Sequence, residues 1–175
     1  MSDDALPRFR YYADPIGDGR FSRSAARCDI CTRARGWVFN GVFYSTAVDD
    51  PVMCPWCTAD GSVAERWNGS FNETAAVIAT ARMLELCQRT PNMETWQDWE
   101  WPCHCDDAAR YMGQPDGSQL RAQPAARDAL LTGLAREGFS DPDAQQLVDS
   151  MGASPTAYHF RCLHCGTDIV TWDCD

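Results

Sequence analysis

Apolar positions recur along this chain in two rhythms, one near 3.6 residues and one near two, and each predicts its own elements. Between Asn72 and Arg89 the rhythm is helical. Val77, Thr80, Ala81, Leu84 and Cys87 share one face, opposite Arg82, Glu85 and Arg89. Asn72 stands as the N-cap and Pro91 as the stop. A second helix is predicted from Ala125 to Arg136, burying Leu130, Leu131 and Leu134, and a third from Asp143 to Met151, burying Leu147, Val148 and Met151. A short helix starts near Asp106, and residues 114–124, rich in Gly, Gln, Ser and Pro, read as a loop. Strand-like runs cover Ala157 to Arg161 and Thr167 to Trp172. Trp37-Val38-Phe39, Asn40-Gly41 and Val42-Phe43-Tyr44 predict a two-residue hairpin. Residues 1–27 form an extended arm packed by Leu6, Phe9, Tyr11 and Phe21, and Trp96, Trp99 and Trp101 are core candidates.

Cysteine spacing changes this picture most. Six of the ten cysteines form three Cys-x-x-Cys pairs, at 28/31, 54/57 and 162/165. The start, Met1-Ser2-Asp3-Asp4, is not a secretory leader, and no apolar run approaches a membrane span, so the expectation is a cytoplasmic chain in which such pairs bind metal rather than form disulfides. Two residues between cysteines let both sulfurs of one tight turn reach one ion. Cys28 and Cys31, joined after 22 residues by Cys54 and Cys57, make a four-thiolate set suited to a structural zinc. Iron fits such a set as well. The rival is redox chemistry at Cys54-Pro55-Trp56-Cys57, which would need only one of the three pairs.

Cys162 and Cys165 need partners for a second ion. Cys105 is the first choice, and the fourth ligand comes from His104, Cys103 or Asp107. Three thiolates and a weaker fourth donor leave room for an open, hydrolytic zinc, with Asp106 or Asp107 activating its water. A closed structural zinc is the favoured reading. His164, inside the turn, is expected to point outward, and neither it nor His159 shows a role. Cys87 reads as core and Cys174 as free.

The fold class expected is α+β: small zinc-ribbon or treble-clef-like β lobes with Cys-x-x-Cys knuckles, packed with three to four α-helices. Residues 1–71 would hold the arm and first zinc lobe. Residues 72–175 would hold the helices and the C-terminal knuckle hairpin, the whole forming one compact unit. The formal charge of −10 is uneven: residues 1–40 carry +2 and residues 41–175 carry −12. An acidic body disfavours nucleic acid, and it permits steering toward a basic protein partner; without a long apolar run, no membrane is expected. The absence of Lys excludes a P-loop or Schiff-base lysine.

Leu6-Pro7-Arg8-Phe9-Arg10-Tyr11, Asp14-Pro15, Gly19-Arg20-Phe21 and Gly41-Val42-Phe43-Tyr44-Ser45 resemble segments of the CbrC-like (UPF0167) bacterial proteins. So do Cys54-Pro55-Trp56-Cys57 through Ser62, Arg89-Thr90-Pro91, Trp96-Gln97, His104-Cys105 with Asp107, and Ser154-Pro155 through Gly166. The resemblance implies a small cytoplasmic bacterial protein with cysteine pairs suited to zinc, linked by name to tolerance of a nuclease colicin. It implies no reaction. Many relatives carry a further Cys where this chain has Ala109. The leading functional expectation is a non-enzymatic, zinc-stabilised protein-interaction module. The alternatives are a zinc-dependent hydrolase, a thiol redox protein and, last, a nucleic-acid module using the arginines of the first 35 residues.

Overall fold

A computed structural model describes residues 5–97 and 100–175; the expectation for Trp99 lies outside them. Helices and three small antiparallel sheets make an α+β protein, divided into two compact units, Met1–Glu94 and Thr95–Asp175. The division falls after residue 94 rather than 71, because the helix that follows residue 71 belongs to the first unit.

In the first unit, β1 (Phe21–Arg23) pairs with β2 (Trp37–Phe39), Phe21 opposite Phe39. The pairing continues past Ser24, whose N–H reaches the Gly36 carbonyl, toward a turn at residues 28–33. Residues 37–39 thus do not pair with 42–44. A two-residue hairpin turn needs positive φ at its first central position, and in the type that Asn-Gly favours at both, yet neither Asn40 nor Gly41 has it. The Asn40 amide instead donates to the Gly19 carbonyl, while its oxygen accepts from the Ser22 hydroxyl. Tyr44 forms a bridge with Ser70.

Two short helices follow, α1 (Pro55–Asp60) and α2 (Ser62–Trp67). Gly61 separates them at φ +85, a conformation that other residues adopt only under strain. Helix α3 (Thr80–Arg89) starts eight residues later than expected. Asn72 caps its other end: its amide donates to the carbonyls of Leu86 and Thr90 at 3.0 and 2.7 Å. The last carbonyls of a helix lack partners of their own, and a buried amide donor satisfies them there. The buried face also differs. Leu86 is fully buried, whereas Val77, Ala81 and Leu84 face solvent. Met83, Leu86, Cys87 and Thr90 form an equally good helical stripe, and packing selects it.

The first unit's core is a chain of rings. Phe9, Phe21, Phe39, Phe71, Phe43 and Trp67 follow one another at centroid separations of 4.9 to 6.2 Å. Each such pair adds roughly 0.5–1.5 kcal/mol beyond the area it buries. Tyr11 and Tyr12 from the arm are also buried, while Leu6 is exposed.

The second unit opens with a small hairpin, β3 (Cys103–His104) and β4 (Asp107–Ala108). Its turn residues, Cys105 and Asp106, sit at φ +53 and +58, the geometry of a tight two-residue turn, in place of the helix expected near Asp106. Then β5 (Arg110–Gly113), β6 (Thr156–Arg161) and β7 (Asp168–Asp173) form an antiparallel sheet with β6 at its centre. Between β5 and β6 lie α4 (Gly117–Ala122), α5 (Pro124–Glu137) and α6 (Asp141–Ser150). Leu120, Leu130, Leu134, Val148 and Met151 pack these helices on Ala157 and Val170 of the sheet. The expected loop at 114–124 holds α4, started by a reciprocal cap between Asp116 and Gln119. Gly117 fits there because a Cβ would lie 2.4 Å from the Asp149 carbonyl oxygen. On the sheet's other face, Trp101, Tyr111 and Phe160 stack edge to face.

Charge follows the division. Residues 1–94 carry ten Arg against twelve acids, and residues 95–175 five against thirteen. The second unit therefore holds −8 of the −10. Among the described residues, no helix is long and apolar enough to cross a membrane.

Asn72 gives a direct test of this architecture. Asn72→Asp keeps an N-cap but cannot donate to the carbonyls of Leu86 and Thr90. It is expected to lower stability by about 1–3 kcal/mol, as Asn72→Ala does. Urea unfolding measures this, and an unchanged midpoint for Asn72→Asp would contradict the capping described.

Candidate metal centres

Each unit gathers one set of four soft donors. In the first, the sulfurs of Cys28, Cys31, Cys54 and Cys57 all lie within 4.8 Å of one another. Cys28 and Cys31 come from the turn at the end of the β1–β2 hairpin. The Cys28 N–H donates to the Arg33 carbonyl and the Thr32 N–H to the Cys28 carbonyl, with Thr32 at φ +57. Cys54 and Cys57 come from the start of α1: Cys54 precedes the helix and Pro55 opens it. Free N–H groups and the dipole at a helix start favour thiolates there. The two pairs meet because Asp29 links them. Its N–H donates to the Val52 carbonyl, and its carboxylate accepts from the Val52 N–H, both at 2.8 Å. A knuckle facing a helix N-terminus is a treble-clef arrangement.

The second set comprises His104, Cys105, Cys162 and Cys165, again within 4.8 Å of one another. Cys162 and Cys165 occupy the turn between β6 and β7, which repeats the first knuckle bond for bond. The Cys162 N–H donates to the Thr167 carbonyl, the Gly166 N–H donates to the Cys162 carbonyl, and Gly166 has φ +74. His104 and Cys105 come from the β3–β4 hairpin. Two hairpins facing each other through their turns are a zinc-ribbon arrangement.

The spacing suits a tetrahedral ion. Sulfur at about 2.3 Å from zinc sets sulfur–sulfur edges of about 3.8 Å. Cys31 and Cys54 are 3.9 Å apart, and Cys105 and Cys165 are 3.8 Å apart. His104 Nδ1 lies 3.2 and 3.4 Å from the sulfurs of Cys105 and Cys165. The donor chemistry, four thiolates in one set and three thiolates with an imidazole in the other, fits zinc.

Electrostatics make the same demand. With only protons to share, the first set cannot hold four charges. A hydrogen bond from Cys54 draws the Cys28 thiol far below its ordinary value, helped by the N–H groups of Cys31 and Ile30. The same contact and burial drive Cys54 up, and burial lifts Cys57 to about 11. In the second set, contact with Cys165 raises Cys105 to about 11. Thr167, through its hydroxyl and N–H, lowers Cys165. Burial pulls Cys162 upward, but the N–H groups of Cys165 and His164 outweigh it, so this thiol falls below its usual range. A divalent cation removes the competition in both sets at once.

Of the candidate ligands, Cys103 stands outside the second set. On a two-residue strand, neighbouring side chains point to opposite faces, so His104 can face the cluster only if Cys103 does not. The Cys103 sulfur lies 3.7 Å from the Trp101 carbonyl instead. Asp107 is not in the set either. Its buried carboxylate accepts from the Ala108 N–H and, at 2.9 Å, from His164 Nε2. His164 therefore has a partner that its place inside the knuckle did not reveal. His159 forms a buried pair with Asp168 at 2.7 Å, which Arg161 joins. Cys87 and Cys174 belong to neither set. The redox reading loses its geometry, since Cys54 and Cys57 are buried beside two further sulfurs rather than presented as a lone dithiol.

The chain matches the Uncharacterised protein family (UPF0167) over residues 6–174. It is 36% identical over 168 residues to UPF0167 protein PA1536 of Pseudomonas aeruginosa, covering 92% of this chain and 93% of that one. It is 30% identical over 174 residues to UPF0167 protein Mb2317 of Mycobacterium bovis and, equally, to UPF0167 protein MT2352 of Mycobacterium tuberculosis, covering 96% of this chain and 93% of each relative. No solved structure gives a significant match. Matched nearly end to end, the chain belongs to the UPF0167 family of bacterial proteins.

Proposed function

We propose that this protein is a non-enzymatic recognition protein of the bacterial cytoplasm, with one zinc ion bound in each unit. One observation carries this reading: each unit brings four soft donors from two separate turns to tetrahedral spacing. Cys28, Cys31, Cys54 and Cys57 would hold one ion, and His104, Cys105, Cys162 and Cys165 the other. When bound, zinc would supply cross-linking rather than Lewis-acid chemistry, since four protein donors complete each tetrahedron.

The strands and helices around the ions are short. Several are two to six residues long, too short to persist without tertiary anchoring. Zinc-bound turns supply that anchoring and leave the outer surfaces available for recognition. The acidity of the second unit favours a basic partner, through faster encounter and charge matching. The CbrC-like resemblance links the family to a nuclease colicin, and a nuclease domain is basic because it must hold nucleic acid. The partner class proposed is accordingly a basic nuclease domain whose toxicity this protein blunts.

Two measurements test the two halves of the proposal. Native mass spectrometry is expected to find two zinc ions per chain, and a strong chelator to lower the melting temperature. Cys57→Ser is expected to cost several kcal/mol, on the scale of a structural zinc site, and to unfold the first unit. Metal-free purified protein with an unmoved melting curve would refute the zinc scaffold. Separately, the immobilised two-zinc protein is expected to retain a basic nuclease domain at low salt and release it as ionic strength rises. Failure to retain it at low salt would remove the partner and leave the scaffold standing.

A further inference from the structure

We infer that the two centres differ in kind. The first keeps its ion for the life of the fold. The second is an exchangeable site, where zinc passes to and from thiol- or imidazole-bearing ligands in the surroundings. This rests on the zinc reading above and concerns what the second centre does with its ion.

Zinc in a thiolate site leaves by associative exchange: an incoming donor must reach the ion before a resident donor lets go. Access therefore sets the rate. Around the first centre Cys28, Cys54 and Cys57 are 2, 1 and 3% exposed and Cys31 is half-buried, and Phe39, Phe43, Trp56 and Trp67 pack on the apolar core that holds the three buried cysteines. Around the second, Cys162 is buried, but His104, Cys105 and Cys165 are all exposed. A chelating ligand can reach three of the four donors there.

Charge and donor type act in the same direction. Four thiolates around a dication leave −2, whereas three thiolates and a neutral imidazole leave −1. The second ion is held by less negative charge. One of its donors is a neutral ring that can detach without leaving a bare anion behind.

The second centre is also built to outlast the loss of its ion. Asp107 on β4 reaches His164 in the opposite knuckle, and its side chain is 1% exposed. This clasp joins the two donor-bearing turns through groups that are not themselves donors. The pairing of β5 with β6 ties the same two hairpins further from the ion. Departure of zinc thus leaves His104, Cys105, Cys162 and Cys165 close together, ready to reload. Asp107 and His164 are positioning residues in this scheme.

The experiment mixes purified two-zinc protein with an excess of a chromophoric zinc chelator and follows release in time. Two phases of equal amplitude are expected, one zinc each. His104→Ala should abolish the fast equivalent and leave the slow one unchanged. Asp107→Ala, which removes the clasp to His164, should speed the fast phase and leave the slow phase alone. Hydrogen exchange after the fast phase should show any loosening confined to the turns at 103–108 and 162–167, with the β5–β6 pairing kept, and none at 28–57. Release of both ions in one phase, or loosening first at 28–57, would overturn this inference while leaving the zinc reading intact. Protein that carries no zinc at all would overturn both.

Discussion

Four sulfurs brought within bonding distance of one ion cannot all be anions unless a cation lies among them, and the rest of this structure is arranged around that constraint. With no cation among them, the sulfur contact with Cys54 draws Cys28 down, while that contact and burial push Cys54 up and burial pushes Cys57 up. A dication would turn this mutual repulsion into cross-linking. Each donor set gathers segments distant in sequence: residues 28–31 with 54–57, and 104–105 with 162–165. In units of this size, closing such loops through an ion would add to what the apolar cores supply.

The two centres reach the same end by different local structure. Both use the same knuckle, in which a residue of positive φ follows the second cysteine. At the C-terminal knuckle that residue is Gly166, which adopts it freely. At the first it is Thr32, a β-branched residue for which the conformation costs roughly 1–2 kcal/mol. The Thr32 hydroxyl donates to the Cys31 carbonyl, and Arg27 donates to the Thr32 carbonyl, so the turn is held from outside. The opposing pairs differ more. A helix start supplies Cys54 and Cys57, buried among aromatic rings, and a two-residue turn supplies His104 and Cys105, at the surface.

What could be read from the sequence follows the range of the interactions. The cysteine pairs were legible because ligand spacing is a local demand. Helices α5 and α6 and the hairpin of β6 and β7 were legible because their rhythms are unambiguous. The partner of Trp37–Phe39 was not: Asn40-Gly41 offers a local turn, whereas the pairing with Phe21–Arg23 rests on contacts distant in sequence, Phe21 against Phe39 among them. The buried stripe of α3 was hidden by two equivalent apolar faces. Helix α4 hid under Gly, Ser and Pro, although Asp116 and Gln119 carry a readable cap. The fourth donor of the second cluster was narrowed to three residues and no further. The choice of His104 over Cys103 depends on which face of a two-residue strand meets the knuckle.

The two catalytic alternatives each meet a specific local geometry here. A dithiol oxidoreductase needs one exposed, activated sulfur, yet Cys54 and Cys57 are buried with two more thiols beside them. A hydrolase needs an open metal position facing a carboxylate, yet the second cluster has four donors and Asp107 spends its carboxylate on His164 and the Ala108 N–H. The remaining buried acids are likewise engaged: Asp173 accepts from the Tyr158 hydroxyl and from the N–H groups of Trp96 and Gln97, and Asp168 binds His159 and Arg161. These carboxylates hold turns and strand ends together, while His104, Cys105 and Cys165 of the second donor set lie at the surface.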